Sequence, residues 1–367
     1  MIVVCISLLS TLTRRQTGES PLSEPTHPTD SDKPRPTVAI LGAGIAGLTC
    51  ARELHEAGLR VDVFDKSRGT GGRVSTRRTD TNLQFDHGAQ YFTVKGRALR
   101  RHVDFWVQDR VADEWTPKLA VIDAKGVRSK RSTEKRYVGR PSMSALTRHL
   151  ARGLDVHYNA RACALQRHEE GWTLEFEETS NDTLYDIVVS TLPAPQAAEL
   201  FADVASSMAA RAARVDFAPT WALMVDFEAP LPVDFDAAFV NDGPLSWIAR
   251  EGSKPGRPRS NAWVVHAGAD WSREFLELPA ELAQEKLLGE FERTLERKVG
   301  VHADLLPPAS YARAHRWRYA RATPALDLGC LVDANRGLIF AGDWLNGSRV
   351  EGAFESGLQA AQWILSR

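Results

Sequence analysis

Val38-Ala39-Ile40-Leu41-Gly42-Ala43-Gly44-Ile45-Ala46-Gly47 is the stretch on which the fold turns. A short apolar run that meets glycines reads as a parallel strand buried on both faces. Ile45, Leu48, Ala51 and Leu54 then recur at helical spacing, and Gly58 stands where a helix C-cap belongs. Leu59 to Asp65 alternates into a second strand, which places Asp65 23 positions after Gly42. A Gly42-x-Gly44-x-x-Gly47 motif between strand and helix, followed by an acidic strand end, is the context of diphosphate binding. The first glycine permits the tight turn, the second lets a diphosphate approach the backbone, and the third lets the helix pack on the strand. The helix start, at Ile45 and Ala46, turns free N–H groups and a partial positive charge toward the phosphates. Asp65 can accept hydrogen bonds from the ribose hydroxyls of an adenosine; the competing reading is a solvated turn residue.

The motif alone does not separate FAD from NAD(P), since Lys66 and Arg68 could hold a 2′-phosphate. Arg68-Gly69-Thr70-Gly71-Gly72-Arg73 supplies the distinction, because a plain nicotinamide unit has no need of a second glycine turn there. Close flavin approach at Gly71-Gly72 and a second diphosphate contact from Arg73 would explain it; a charged surface loop is the alternative. A third element agrees. Phe340-Ala341-Gly342-Asp343-Trp344 ends a buried strand, with Gly342-Asp343 placed to hold a ribityl chain or phosphate-side hydroxyl. The helix that starts near Val350-Glu351-Gly352-Ala353 and runs to Leu365 can aim N–H groups at the pyrimidine end of an isoalloxazine.

Tyr185–Ser190 and Gly337–Ala341 are further apolar runs, so the first sheet is completed from distant parts of the chain. Val156 to Glu178 alternates around a Glu169-Glu170-Gly171 turn, as an antiparallel meander does. The domain reading is a disordered extension over 1–36, an FAD-binding domain assembled from 37–95, 140–196 and 326–367, and a substrate domain from 96–139 and 197–325. Residues 16 to 36 carry five prolines among polar residues and cannot bury enough apolar surface to offset their ordering entropy. The apolar run at 2–9 is too short to span a membrane and lacks the order of a secretory signal. A length of 367 residues exceeds what one core usually sustains. The 46 Lys+Arg against 47 Asp+Glu announce no nucleic-acid partner. Four cysteines without metal or disulfide spacing fit a reducing, cytoplasmic setting and no metal.

The three nucleotide elements resemble the flavoprotein fold of the amine-oxidase, glutathione-reductase-2 and p-hydroxybenzoate-hydroxylase type. That is an α/β plus α+β architecture with a Rossmann-type FAD-binding domain and a mixed-sheet substrate domain. Five segments sharpen the resemblance. Phe85-Asp86-His87-Gly88-Ala89-Gln90-Tyr91-Phe92-Thr93, Tyr137–Ser144, Ser190–Gln196, Ala314–Ala320 and Gly342-Asp343-Trp344 with Arg349–Ala353 resemble, in order, segments of the renalase-like flavoproteins, bacterial members in particular. The match covers about 37 to 367. It implies an FAD enzyme oxidising 2- and 6-dihydro-NAD(P) isomers to NAD(P)+ by hydride transfer to flavin N5, with O2 reduced to H2O2. Such chemistry leaves an aromatic pyridinium and requires no protein base, so the protein's task is to orient one ring against another. No cysteine stands near Asp343 or Glu351 in the sequence, so noncovalent FAD is expected.

The resemblance places Gly88, Ala89, Gln90 and Tyr91 beside the flavin and His266 across the ring, facing the substrate. A phenol and an imidazole can hold a carboxamide or stack on a nicotinamide without reacting. The alternatives are a core tyrosine and a strand histidine bonded to backbone. One of Trp221, Trp247 and Trp317 is expected to face the substrate, Trp317 being favoured as a catalytic residue. Arg128, Lys130, Arg131, Lys135 and Arg136 form a cluster that could hold the substrate diphosphate or be a solvated charged loop; Arg316 and Arg318 flank Trp317. Two other functions stay open: a flavin amine oxidase, and a noncatalytic FAD-binding redox sensor.

Overall fold

The computed structural model describes residues 35–178 and 180–367. The proposed disordered extension falls almost wholly outside them. Thr37–Leu41 is a strand in which Val38, Ala39 and Ile40 are fully buried. Its side chains alternate between two clusters, Val38 and Ile40 into one and Ala39 and Leu41 into the other, as a strand covered on both faces requires. The helix Ile45–Glu56 follows, and Gly58 adopts φ +82°, the left-handed turn that releases the chain into the strand Arg60–Phe64.

Five parallel strands lie in the spatial order Leu338–Ala341, Ile187–Ser190, Thr37–Leu41, Arg60–Phe64, Asp155–His157. Cys330–Asp333 adds an antiparallel strand at the outer edge. The sheet is therefore gathered from four distant regions, as the apolar runs imply. One face is covered by the helices Ile45–Glu56 and Val350–Leu365, which meet closely where Gly357 lies on the Ala46 carbonyl; a Cβ at Gly357 would strike that oxygen. The meander Ala162–His168, Gly171–Phe176, Ser180–Tyr185 covers the other face, with helices Ala194–Leu200 and Ser206–Ala212.

The second large element is a seven-stranded mixed sheet. Its order is Ala309–Ala322, Phe217–Phe227, Ala262–Ala267, Leu245–Arg250, Ala237–Val240, Leu119–Asp123, Gly126–Ser129. Only the pair Ala237–Val240 with Leu119–Asp123 runs parallel. The helix Ala280–Thr294 buries Leu287 and Phe291 on one face. The other face meets the segment 86–92. The helix Arg97–Gln108 packs on the last helix, where His102 and Trp106 meet the Phe354 ring edge-on.

Candidate active site

The nucleotide end is built by backbone. Gly42 N–H donates to the Phe64 carbonyl at 2.7 Å, and a Cβ at Gly47 would run into the Gly42 carbonyl oxygen, so the helix can sit this close only on glycine. The Thr191 hydroxyl donates to the carbonyls of Leu41 and Gly42 and locks the turn from the neighbouring strand. Gly44, by contrast, has an ordinary φ of −87° and open space where its Cβ would be. The helix behind it begins without a side-chain cap, so the first-turn N–H groups of Ile45, Ala46 and Gly47 remain available to an anion. Asp65 accepts from Ala43 N and Ser67 N, each at 2.7 Å, joining both glycine turns. Its carboxylate keeps lone pairs for further donors. Lys66 and Arg68 are exposed, and Gly72 lies against the Gly44 backbone.

Several side chains of these motifs have partners within the protein. Arg73 forms a two-pronged pair with Asp343, at 2.9 and 2.5 Å, and also reaches the Ala320 carbonyl. The two residues thus neutralise each other, the geometry a guanidinium and carboxylate favour. Glu351 accepts from Lys95 N and Gly96 N at 2.7 and 2.6 Å and so holds the turn that leads into the helix Arg97–Gln108. What Val350, Glu351, Gly352 and Ala353 offer a ligand is the backbone of a helix start that has no side-chain cap. Gln90 turns inward, donating to the carbonyls of Asp86 and Gly88 and accepting from Lys254 and Trp247, so its amide shapes the turn from behind. Ala89 N–H donates to the Arg73 carbonyl at 2.9 Å, and Gly88 lies against that same carbonyl and the Trp317 ring. Cys330, distant in sequence, stands across from Ala341. Its thiol packs with the cluster holding Cys50, and burial raises the pKa of both.

Strand register sets the second half of the site. Reading partners across the seven-stranded sheet gives one line: Arg128, Val121, Phe239, Trp247, His266, Ala222, His315. Directly paired residues share a face, so this lane runs from a cationic edge through aromatic rings to imidazoles. Trp317, two residues beyond His315, lies on the same face. At the imidazole end His266 Nε2 and Trp317 Nε1 reach the His87 carbonyl, at 3.1 and 2.9 Å, and His87 stacks on Trp317 with centroids 5.1 Å apart. His315 meets both rings edge-on. The backbone-bonded reading of His266 thus holds for one nitrogen. Burial lowers all three histidines, to about 3 for His87 and about 4 for His266 and His315, with further lowering of His87 by His315 and of His315 by Arg77. His87 Nδ1 is buried without a partner among the described residues.

Tyr91 lies beside Trp115 and Trp247, with the Arg136 guanidinium 5.2 Å from its ring centre. Two of the three weighed tryptophans, Trp247 and Trp317, therefore share the site's face, where one was expected. Trp221 belongs to the opposite face, its indole bonded to the Phe275 carbonyl. Arg316 and Arg318 pair with the exposed Glu277 instead of approaching the lane.

Behind the 86–90 turn lies a group the sequence reading missed. Lys254, fully buried, is 2.5 Å from Glu251, 3.5 Å from Asp86 and 3.3 Å from Gln90. Arg257 bonds Asp86 at 2.5 Å and the Gly139 carbonyl at 2.6 Å. Thr76 and Met143 N–H complete the Asp86 shell. Burial works to raise Asp86, but Lys254 and Arg257 outweigh it and hold the carboxyl well below the usual carboxylate range.

Residues 40–106 match the model of an NAD(P)-binding Rossmann-like domain, and 98–365 that of the flavin containing amine oxidoreductases. Renalase of Mus musculus is 22% identical over 306 residues, covering 79% of this chain and 86% of the mouse protein. Among solved structures, a protein of Exiguobacterium sp. 255-15 provisionally assigned as a protoporphyrinogen oxidase superposes with a TM-score of 0.70 at 12% identity, over 90% of this chain and 99% of that one. A wild-type putrescine oxidase bound to putrescine superposes at 0.67 and 13% identity, over 91% and 99%. At these identities the structural matches establish the fold. Among the described residues no helix is long and apolar enough to cross a membrane.

Proposed function

Because the chain belongs to the flavin-containing amine oxidoreductase family, we propose that it is a renalase-like FAD-dependent oxidase that converts 2- and 6-dihydro-NAD(P) isomers to NAD(P)+. The residues present fit the cofactor: the open space beside Gly44, where a Cβ would stand, and the uncapped helix start behind it suit a diphosphate. Asp65 would hold the adenosine ribose, the Arg73–Asp343 pair the ribityl side, and the start of the last helix the pyrimidine edge. When bound, FAD would supply the two-electron acceptor for hydride lost from the dihydropyridine and, once reduced, the reductant for O2.

The observation that carries the reading is the neutral imidazole and indole wall of His87, His266, His315 and Trp317. A neutral dihydropyridine becomes a cationic pyridinium as its hydride leaves. Imidazoles held neutral down to about pH 4 accept that ring without repelling the developing charge. The Trp317 and His266 bonds to the His87 carbonyl fix the wall against the 86–90 turn, so ring orientation is set before substrate arrives. Asp86 and Glu251 are engaged by Lys254 and Arg257, which keeps these carboxylates out of proton abstraction. The FAD is held noncovalently; yellow colour remaining in an acid-precipitated pellet would refute that.

The test is anaerobic mixing of the purified yellow protein with 2- and 6-dihydro-NAD, β-NADH and a panel of amines, followed by flavin absorbance. Fast bleaching by the isomers alone is expected. Bleaching by amines would assign an amine oxidase, and an unresponsive flavin a binding protein.

A further inference from the structure

The lane of paired residues has a chemical gradient that the imidazole end does not use. Two strand spacings from His266, at Phe239, the Lys130 ammonium stands 4.3 Å from the ring centre. Two more reach the edge strand Gly126–Ser129. The step from His266 to Phe239 is about 10 Å and the whole run to Arg128 about 19 Å, at the usual strand separation.

The five basic residues near this edge divide into two groups. Arg128 pairs with Asp123 and Lys135 with Glu114, which cancels their charge locally. Lys130 and Arg131 are exposed and have no carboxylate partner among the described residues. Arg136 differs from these two in having an ion-pair partner, Glu134. Its side chain is 7% exposed, its Nη2 stands 3.8 Å from Glu134, and its Nε is buried without a partner among the described residues. Its guanidinium lies over Tyr91, whose ring is 5.5 Å from Trp247, which in turn is 4.8 Å from Phe239. Cations thus stand over both ends of an aromatic row, Arg136 at Tyr91 and Lys130 at Phe239. This is a surface for a flat, multiply anionic ligand and unlike a loop of solvated charges.

We infer that Lys130, Arg131 and Arg136, with Phe239 and Tyr91, form an anchoring site for the diphosphate of a dinucleotide substrate. The inference rests on the proposed function, because it takes the reacting ring to lie at His266. The distance matches that assignment: a ribose and its 5′ ester separate a nicotinamide from the first phosphate, which brings the diphosphate to the Lys130 region when the ring lies against the imidazoles. The anchor contributes to binding, and the rings at the other end of the lane govern the hydride step, so its loss is felt in KM more than in the limiting rate.

The experiment uses the FAD-loaded protein and ADP-ribose, a dinucleotide fragment with the diphosphate and no reacting ring, by titration calorimetry at two salt concentrations. Inorganic pyrophosphate and adenosine serve as competitors. Expected are binding that weakens with salt, displacement by pyrophosphate but not adenosine, and a tenfold or greater loss of affinity in the Lys130→Gln/Arg131→Gln double variant. Both residues are exposed, so the variant retains its fold. Arg293→Gln, on the helix covering the opposite face, should bind ADP-ribose as the parent does. With 6-dihydro-NAD the double variant should raise KM about tenfold with the saturated rate of flavin bleaching within twofold. Absence of ADP-ribose binding to the parent, salt-insensitive binding, or equal affinity in the double variant would overturn the anchor. If ADP-ribose binds as expected and no dihydro isomer bleaches the flavin, the anchor stands and the proposed reaction falls.

Discussion

Asp86 and His87 are consecutive, yet their side chains enter opposite kinds of interior. Asp86 joins Glu251, Lys254 and Arg257 in a cluster whose four side chains are at most 2% exposed; Lys254 and Arg257 hold the Asp86 carboxyl well below the usual carboxylate range, while burial raises that of Glu251. His87 joins His266, His315 and Trp317, where titratable rings are held neutral. Burial presses both toward neutrality. What separates them is partners: two acids face two bases on one side, whereas the imidazoles face one another, an indole and the cation of Arg77. Charge therefore survives where it braces the turn and is excluded where the substrate ring is proposed to lie.

The strongest way to break this contrast is to unbalance the charged side. Lys254→Met leaves two buried carboxylates to one guanidinium and should cost about 3 to 5 kcal/mol of stability in denaturant unfolding. The Glu251→Gln/Lys254→Met double variant should recover much of it; equal losses in single and double variants would show that packing, and not charge balance, sustains the turn. A smaller effect is expected at the nucleotide end. Gly44→Val meets open space in the protein alone, so the apoprotein should melt as the parent does while FAD affinity falls about a hundredfold, or roughly 2.7 kcal/mol. Parallel loss of both would mean the glycine serves the fold.

On the neutral side, His266→Ala should slow single-turnover flavin reduction about tenfold by loosening ring alignment; an unchanged rate would remove His266 from the substrate site. The same wall sets an acid limit. The unfolded histidines take protons near pH 6.5, whereas folded His266 and His315 resist until about 4 and His87 until about 3. Between those values the unfolded state binds more protons, so stability present above about pH 6.5 is lost as pH falls toward 4. Melting temperature should decline through that window, and a flat profile would contradict the neutral wall. The smallest effect belongs to the surface: Glu277→Gln, which frees Arg316 and Arg318 far from the lane, should leave melting and flavin reduction at parental values.

The nucleotide half was readable because its signals are local. Gly42, Gly44, Gly47 and Asp65 fall within one strand–helix–strand unit, where spacing alone specifies the turn. The protein partners of Arg73, Glu351 and Gln90 were not readable, because a motif reveals what backbone does, not which group from another segment bonds a charged or amide side chain. Asp86 and Lys254 lie 168 positions apart, and the strands of His315 and His266 are paired through Ala222 on the strand between them. Register across seven strands decides that pairing, and one residue of slip would turn every member of the lane to the other face. The alternation of His315 and Trp317 was the one visible hint.

The contact of Gly357 with the Ala46 carbonyl has a further consequence, in the order of synthesis. At about 5 to 20 residues per second, some fifteen seconds to a minute of translation separate the glycine loop from the helix that seals it. Throughout that interval the emerging chain carries a strand and helix whose apolar faces await Leu338–Ala341 and Val350–Leu365. An early stop anywhere before those segments yields a chain without the packing of Gly357 on Ala46, however complete its glycine motif.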